Sequence, residues 1–204
     1  MKHKNLQTLV ECAIMIALAT VLSLLKITPP FLIFGGSITL LSMLPIAVIS
    51  CRHGIAIGLG TGFVYAALQL VLDLSKILTW GLTPAVLVAC FFLDYLLAFT
   101  VIGFAGIFRK KGTTGVLLGT ALALFLRFFS HFLSGLVLWG IPSEYVEQFH
   151  NRTALYSLAY NGSFMLPEIV FTVLALFFFL QNAQFRRFLQ LPAKNASDAA
   201  EPQA

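Results

Sequence analysis

The chain has 204 residues, of which 59% are hydrophobic and 10% are charged, and its mean hydropathy is +0.92. This composition excludes a water-soluble globular protein and indicates a protein that lies largely within a lipid bilayer. The formal net charge is +5. Most of the basic residues flank apolar segments, so this charge predicts membrane orientation rather than a nucleic-acid partner.

The apolar segments predict six membrane helices joined by short connections. Residues 8–27 form the first helix. Because its apolar part is long and no small-residue cleavage site follows, we interpret it as a span rather than a signal peptide. The loop 28–37 is bounded by Pro and Gly and has an apolar middle. The later helices are predicted at 38–50, which is short for a span, and at 54–72, 83–108, 113–141 and 153–181.

Residues 1–191 are therefore predicted to form one all-α membrane domain, a bundle of six transmembrane helices. The remaining residues, 192–204, are polar and rich in Ala. We expect them to be a disordered cytoplasmic tail.

The positions of Lys and Arg predict the orientation of the bundle. With the amino terminus inside, nine of these residues fall on the inner side and three fall on the outer side, namely Lys26, Lys76 and Arg152. Since cytoplasmic loops carry the excess of positive charge, both termini are predicted to be cytoplasmic. This topology requires the short second helix to cross the membrane.

The segment FLRFFSHFLSGLVLWG, residues 125–140, carries polar groups inside an otherwise apolar helix. Arg127, His131, Gly135 and Trp139 are spaced by four and share about 120° of one helix face. A charge at membrane depth costs at least ~2.5 kcal/mol, so a lipid-facing helix rarely carries one. The face therefore predicts a polar or aromatic ligand inside the bundle.

Two of the polar residues lie at matched depths in the predicted topology. Asp94 lies roughly 16 Å along the fourth helix and Arg127 roughly 21 Å along the fifth. Both depths are near the midplane, so we expect this acid and this base to be partners. Tyr156 and Asn161, on the sixth helix, reach the outer half of the same bundle. A site there would be open to the exterior.

Three motifs carry a resemblance to a known family: an acid–Tyr pair at Asp94 and Tyr95, a His-x-x-x-Gly-x-x-x-Trp face, and the run YSLAYN. They lie in three of four matching blocks, which are GGSITLLSMLPIAVISCRHGIAIGLGTG, LDYLLAFTVIGFAGIF, LRFFSHFLSGLVLWG and LYSLAYNGSFMLPE. Together with AIMIALA in the first helix, these blocks cover most of residues 10–170. In them the chain resembles the thiamine-specific substrate-binding subunit (S component) of energy-coupling factor (ECF) transporters.

The resemblance implies a bacterial plasma-membrane subunit that binds a vitamin from outside. Such subunits deliver the vitamin by docking on a transmembrane coupling protein that is driven by two ATPase subunits. The chain has no Gly-rich phosphate loop, so ATP chemistry would belong to those partners. No cofactor is implied.

The resemblance also implies which residues contact the charged part of thiamine, whose thiazolium ring is a cation. Asp94 matches the acid that faces this ring, and Arg127 matches the base beside that acid. His131 and Trp139 match positions that stack on the rings of the ligand, where cation–π attraction adds roughly 2 kcal/mol in a dry site.

The other matched positions surround the rest of the ligand. Tyr156 and Asn161 match groups that hydrogen-bond the pyrimidine ring, whose edge suits the donor and acceptor of an amide. Tyr95 matches a neighbour of the hydroxyl tail, and Gly135 leaves room for a flat ring. Some relatives close the site with a Trp in the first outer loop, and in this chain we predict Phe34 as the closing aromatic residue.

Small residues on two helices predict close packing. Gly54, Gly58 and Gly62 form a ridge on the third helix, which we interpret as packing inside the bundle. Ala13 and Ala17 lie one turn apart on the first helix. The resemblance implies that these alanines face the coupling protein, because the family presents small residues there.

From the residues alone, structural interpretations of the site stay open. Asp94 and Arg127 would also suit a structural ion pair, and His131 would suit a satisfied core histidine. Trp139 would suit the aromatic belt at the membrane surface, as would Tyr156. Asn161 would suit a structural hydrogen bond between two helices.

Other functions also remain open. One alternative is an S component of the same architecture that binds another vitamin or precursor, such as hydroxymethylpyrimidine or riboflavin. A remote alternative is an intramembrane enzyme built on Asp94, His131 and Arg127 with Ser134 as nucleophile. No catalytic or metal motif is present, and the three cysteines have spacings unsuited to a metal, so we interpret them as small buried hydrophobic residues: Cys12, Cys51 and Cys90.

Overall fold

The structure is a computed structural model that describes residues 2–32 and 35–191. Within these residues the chain forms a helical bundle with one small two-stranded sheet. The helices are α1 (Lys2–Leu24), α2 (Leu44–His53), α3 (Ile55–Leu78), α4 (Pro84–Cys90, continued by the segments below), α5 (Gly112–Ser134, continued by Gly135–Trp139), α6 (Thr153–Phe179) and a short α7 (Ala183–Phe188). The prediction of an all-α bundle with six principal helices is confirmed.

Two of these helices contain segments that depart from α-helical geometry. After Cys90, α4 continues as π-helix over Phe91–Leu97, as one α-helical turn at Ala98–Thr100, and as 3-10 helix over Val101–Lys111. The last turn of α5, Gly135–Trp139, is also π-helical. A 3-10 turn at Ser143–Tyr145 lies in the connection to α6.

Four segments of the described chain are long and apolar enough to cross a membrane: Lys4–Leu24, Ile55–Leu78, Pro84–Trp139 and Thr153–Phe179. The third of them contains both α4 and α5, which separate at Phe108, where the backbone is not helical. Many large apolar side chains on these segments are exposed, as expected where lipid replaces water as the solvent. The protein is therefore a multi-pass membrane protein.

The short second helix has a different environment from the others. The predicted helix 38–50 is wrong in its first residues, because Ile38–Thr39 form a strand and α2 begins only at Leu44. Pro45 lies in the first turn of α2, where proline favours a helix start. All residues from Leu44 to Cys51 are buried. This helix of ten residues is thus enclosed by protein, and it is too short to cross the bilayer alone.

The connection between α1 and α2, residues 25–43, is called loop 1 here. Its strands β1 (Lys26–Ile27) and β2 (Ile38–Thr39) pair antiparallel, with Lys26 opposite Thr39. Loop 1 therefore forms a hairpin at the end of the bundle where α1 finishes.

Glycines allow α2, α3 and α4 to approach closely. A Cβ on Gly58 would lie 2.5 Å from Ser50 Cβ, and one on Gly103 would lie 2.3 Å from the backbone N of Leu59. The hydroxyl of Ser50 donates to the carbonyl of Gly103. The glycine ridge of the third helix therefore serves packing inside the bundle, as predicted.

A charged network fixes the opposite end of the bundle. Glu11 in α1 accepts from Arg52 Nε at 2.6 Å and from Arg52 Nη2 at 2.9 Å, a bidentate geometry. His53 Nε2 lies 2.7 Å from the same carboxylate. Arg52 Nη1 also donates to the carbonyl of Phe188, so this network joins α1, α2 and α7.

Candidate functional site

A cavity opens beside loop 1, between α1, α3, α4, α5 and α6, and its volume is about 1100 Å³ with the space open to solvent included. Every predicted ligand-contacting residue that the structure describes lines this one cavity. These residues are Asp94, Tyr95, Arg127, His131, Gly135, Trp139, Tyr156 and Asn161. The remaining predicted residue, Phe34, lies outside the described residues.

Asp94 is the centre of the hydrogen-bond network in the cavity wall. Its Oδ1 lies 3.0 Å from His131 Nδ1, and its Oδ2 accepts from Ser134 Oγ at 2.6 Å. Trp139 Nε1 donates to Asp94 Oδ2 at 3.2 Å and to Ser134 Oγ at 3.1 Å. An ionised carboxylate only accepts, so Nδ1 of His131 carries the proton in this contact. Three donors from α5 thus hold one partly buried carboxylate in place.

The two π-helical segments explain this geometry. Asp94 lies within the π-helical segment of α4, and Trp139 ends that of α5. A π-helical turn bonds residue i to i+5, and such turns occur often at functional sites. The wider turn brings Trp139 over Ser134, five positions earlier. Spacing by four did not identify Ser134 as part of this network.

Arg127 does not pair with Asp94, which corrects the sequence-based expectation. Among the ion pairs of the described residues, Asp94 pairs with His131. Arg127 is buried, with its guanidinium carbon 4.4 Å from the centroid of the Phe99 ring and Nη1 2.6 Å from Met43 Sδ. Depth along a helix does not determine the rotation of a side chain about the helix axis.

Aromatic rings form much of the cavity wall. His131 meets Phe164 edge to face, with ring centroids 5.7 Å apart. The rings of Trp139 and Trp80 are also edge to face, with centroids 5.3 Å apart. Tyr156 packs among other rings of the α5–α6 connection and α6, which are Tyr145, Phe149 and Tyr160. A flat ligand would find several ring faces and edges here.

Three polar atoms of cavity-lining side chains lack a protein partner. Within the described part of the chain, Arg127 Nε, His131 Nε2 and Tyr156 Oη are buried and have no hydrogen-bond partner. Buried polar atoms are usually paired. A polar ligand in the cavity would satisfy His131 Nε2 and Tyr156 Oη.

Gly135 and Asn161 also hold α5 against α6. A Cβ on Gly135 would lie 2.2 Å from Ser157 Oγ, so only glycine fits this contact. Asn161 Nδ2 donates to the carbonyls of His131 at 3.2 Å and Ser157 at 3.0 Å. The interpretation of Asn161 as an interhelical hydrogen bond is therefore supported, although its side chain also lines the cavity.

Sequence reasoning missed one wall of the cavity, which comes from α3 and the loop after it. Gln69, Asp73, Lys76 and Trp80 line the cavity, and Asp73 Oδ2 accepts from Tyr95 Oη at 3.1 Å. These residues are spaced by four, three and four, which is one helix face. That periodicity is the signal that would have identified them.

The fold and the cavity define a helical, multi-pass membrane protein with a polar and aromatic binding site inside the bundle. The chain belongs to the thiamine transporter protein (Thia_YuaJ) family, which it matches over residues 9–187. The resemblance to the thiamine-specific S components is thereby confirmed. Since this is a family of transporters, the expectation that the chain is not an enzyme is confirmed too.

Individual relatives agree with this assignment. The chain is 30% identical over 189 residues to the thiamine transporter ThiT of Bacillus subtilis (strain 168), covering 86% of this chain and 91% of the relative. It is 30% identical over 186 residues to ThiT of Lacticaseibacillus paracasei, covering 84% and 86%. A solved structure of ThiT from Listeria monocytogenes has the same fold, with a TM-score of 0.67 at 24% identity, covering 90% of this chain and 98% of that one.

Proposed function

We propose that this protein is the thiamine-binding S component of an ATP-driven ECF importer. The observation that carries the proposal is Asp94, a carboxylate held by three donors in an aromatic cavity. Its side chain is 16% exposed, and a charge in such a place is most useful when the ligand carries the opposite charge. The thiazolium ring of thiamine is a permanent cation of suitable shape.

The remaining groups suit the rest of thiamine. Trp139 and His131 offer ring contacts to a cationic heterocycle, worth roughly 2 kcal/mol when desolvated. Tyr156 Oη, which has no hydrogen-bond partner within the described residues, suits the aminopyrimidine edge, and so does the amide of Asn161. Tyr95, whose hydroxyl already donates to Asp73, would lie beside the hydroxyethyl tail.

The transport part of the proposal depends on orientation and docking. The excess of Lys and Arg on one side favours cytoplasmic termini in the plasma membrane and a cavity that opens to the exterior. Ala13 and Ala17 are exposed on α1, and small residues let another helix approach closely. We infer that α1 docks on the transmembrane coupling protein, and that two ATPase subunits supply the energy.

The intramembrane enzyme is disfavoured by the contacts of Ser134. Its Oγ donates to Asp94 rather than to His131, so the nucleophile–base pair that such chemistry needs is not formed. Hydroxymethylpyrimidine and riboflavin carry no permanent positive charge, so the Asp94 carboxylate would gain no charge–charge attraction from binding them.

The experiment is a titration of the purified protein in detergent with thiamine, hydroxymethylpyrimidine and riboflavin, followed by intrinsic fluorescence. We expect thiamine to saturate at the lowest concentration and to quench the emission of Trp139, because a ring stacked on an indole quenches it. Saturable binding of riboflavin without saturable binding of thiamine would show that riboflavin, not thiamine, is the ligand. Chemical conversion of the vitamin by the purified protein would support the alternative that the protein is an intramembrane enzyme.

A further inference from the structure

Trp80 lies just beyond the end of α3, in the turn that leads to α4, and it is one of two tryptophans in the chain. Its side chain lines the cavity. The centroid of its ring lies 5.3 Å from that of Trp139, with the ring planes at 87°. The two indoles therefore form a corner, with one ring plane nearly perpendicular to the other.

The ring of Trp80 also contacts the backbone of loop 1. A Cβ on Gly35 would lie 3.4 Å from Cζ2 and 3.5 Å from Cη2 of Trp80, so the benzene part of the indole packs against this glycine. Trp80 thus bridges the space between loop 1 and Trp139.

The local backbone holds Trp80 in this place. The backbone N–H of Trp80 donates to the carbonyl of Ile77 at 3.1 Å, and Thr79 Oγ1 donates to the carbonyl of Lys76 at 2.6 Å. Gly81, which follows, has a φ of 66°, a conformation that glycine adopts without strain. The turn after α3 is therefore an ordered support for the indole.

The environment of Trp80 already accommodates a positive charge. Lys76 Nζ lies 5.8 Å from the centroid of the indole ring, within the distance at which cation–π attraction acts. This ammonium already takes the cation–π contact of Trp80 and would repel a cationic ring nearby, so Trp80 would act on a ligand through ring packing.

We propose that Trp80 is a ligand-contacting, specificity-determining residue, and that together with Trp139 and Gly35 it forms the closing wall of the cavity. This inference rests on the proposed function, since thiamine is the ligand considered. It places an aromatic residue of the closing wall in the α3–α4 connection, in addition to the predicted Phe34 of loop 1. The corner of two indoles selects flat aromatic ligands, because each ring offers either a face or an edge.

The test uses the full chain in detergent and variants that each keep a single tryptophan. In Trp139→Phe, the only tryptophan is Trp80, and saturating thiamine should still quench its emission. Calorimetry should show that Trp80→Ala weakens thiamine binding about tenfold or more, and that Trp80→Phe weakens it less. Phe178→Ala is the matched control, because this aromatic side chain is 68% exposed on α6, and its affinity should equal that of the wild type.

The outcomes separate this inference from the proposed function. If the wild type binds thiamine, but Trp80 emission is unchanged in Trp139→Phe and Trp80→Ala binds as tightly as the wild type, Trp80 only packs and the inference is wrong. If Trp80→Ala does not fold, the thiamine affinity of Trp80→Phe and the quenching of Trp80 emission in Trp139→Phe test the inference instead. A wild type that binds no thiamine overturns the proposed function itself, and this inference with it.

Discussion

The carboxylate of Glu168 accepts two hydrogen bonds from Thr39, a residue that lies 129 positions earlier in the chain. One comes from the backbone N–H and one from the hydroxyl, the latter at 2.6 Å. Glu168 is 1% exposed, and Thr39 belongs to β2 and lines the cavity. Through this contact α6 anchors the hairpin of loop 1, and a buried acid that has no direct place in the cavity positions part of its wall.

We predict that Glu168→Ala destabilises the protein and weakens thiamine binding. The change leaves two donors of Thr39 without their acceptor, and hydrogen bonds to a charged group contribute about 1.5–3 kcal/mol each. Glu168→Gln keeps one oxygen acceptor and should lose less. Thermal unfolding in detergent measures the effect, with Glu147→Ala, at an exposed position of the α5–α6 connection, as the control. An unfolding temperature equal to that of the wild type in Glu168→Ala would show that loop 1 does not depend on this anchor.

Asp94→Asn should distinguish the charge of the site from its hydrogen bonds. The amide keeps the size of the carboxylate but loses the attraction for a thiazolium cation. We expect the affinity for thiamine to fall by about tenfold or more, as for a lost close charge interaction, and the affinity for uncharged hydroxymethylpyrimidine to fall less. Calorimetry with both ligands is the measurement, and Asp94→Glu, which retains the charge, should be intermediate. Equal losses of affinity for the two ligands would show that Asp94 does not contact the thiazolium ring.

Gly135→Ala is expected to disrupt the contact between α5 and α6. The added Cβ would lie 2.2 Å from Ser157 Oγ and 3.2 Å from Asn161 Nδ2, so α6 must shift away from the cavity and binding should weaken. Adding Ser157→Gly removes the clashing side chain and should recover part of the affinity. The control is Gly60→Ala in α3, where a Cβ meets no atom within 4 Å. Unchanged binding in Gly135→Ala would show that this close approach does not shape the site.

The proposed docking of α1 on the coupling protein should be separable from thiamine binding. Ala13→Trp or Ala17→Trp places a large side chain on an exposed face of α1 and should leave thiamine affinity, measured by calorimetry, nearly intact. Vitamin uptake in cells that express the partner subunits should be lost, and so should co-purification with them. Leu174→Trp, on an exposed position of α6, should keep both properties. Loss of binding with retained co-purification would mean that the alanines pack within the bundle and that docking occurs elsewhere.

The residues of the cavity were predictable from the sequence because polar groups stand out in apolar helices. His131, Gly135 and Trp139 needed only their spacing, and Asp94 and Asn161 needed only depth and resemblance. All of them line one cavity. Residue type and helical period therefore identify part of the cavity wall, whereas the part formed by α3 and the loop after it was not predicted.

Their contacts were less predictable. The pairing of Asp94 with His131 depends on the rotation of α5 relative to α4 and on π-helical turns, neither of which follows from spacing by four. The role of Glu168 depends on a strand far away in the chain. The contacts of Trp80 were not predicted, because its neighbours come from loop 1 and from the end of α5.

The central claim is that the cavity around Asp94 binds thiamine, and isothermal titration calorimetry of the purified wild-type protein with thiamine tests it most directly. We expect saturable binding at one site per protein, with a dissociation constant below about 1 μM. An absence of saturable heat with thiamine, in a preparation that remains folded and binds a different vitamin at one site, would contradict it.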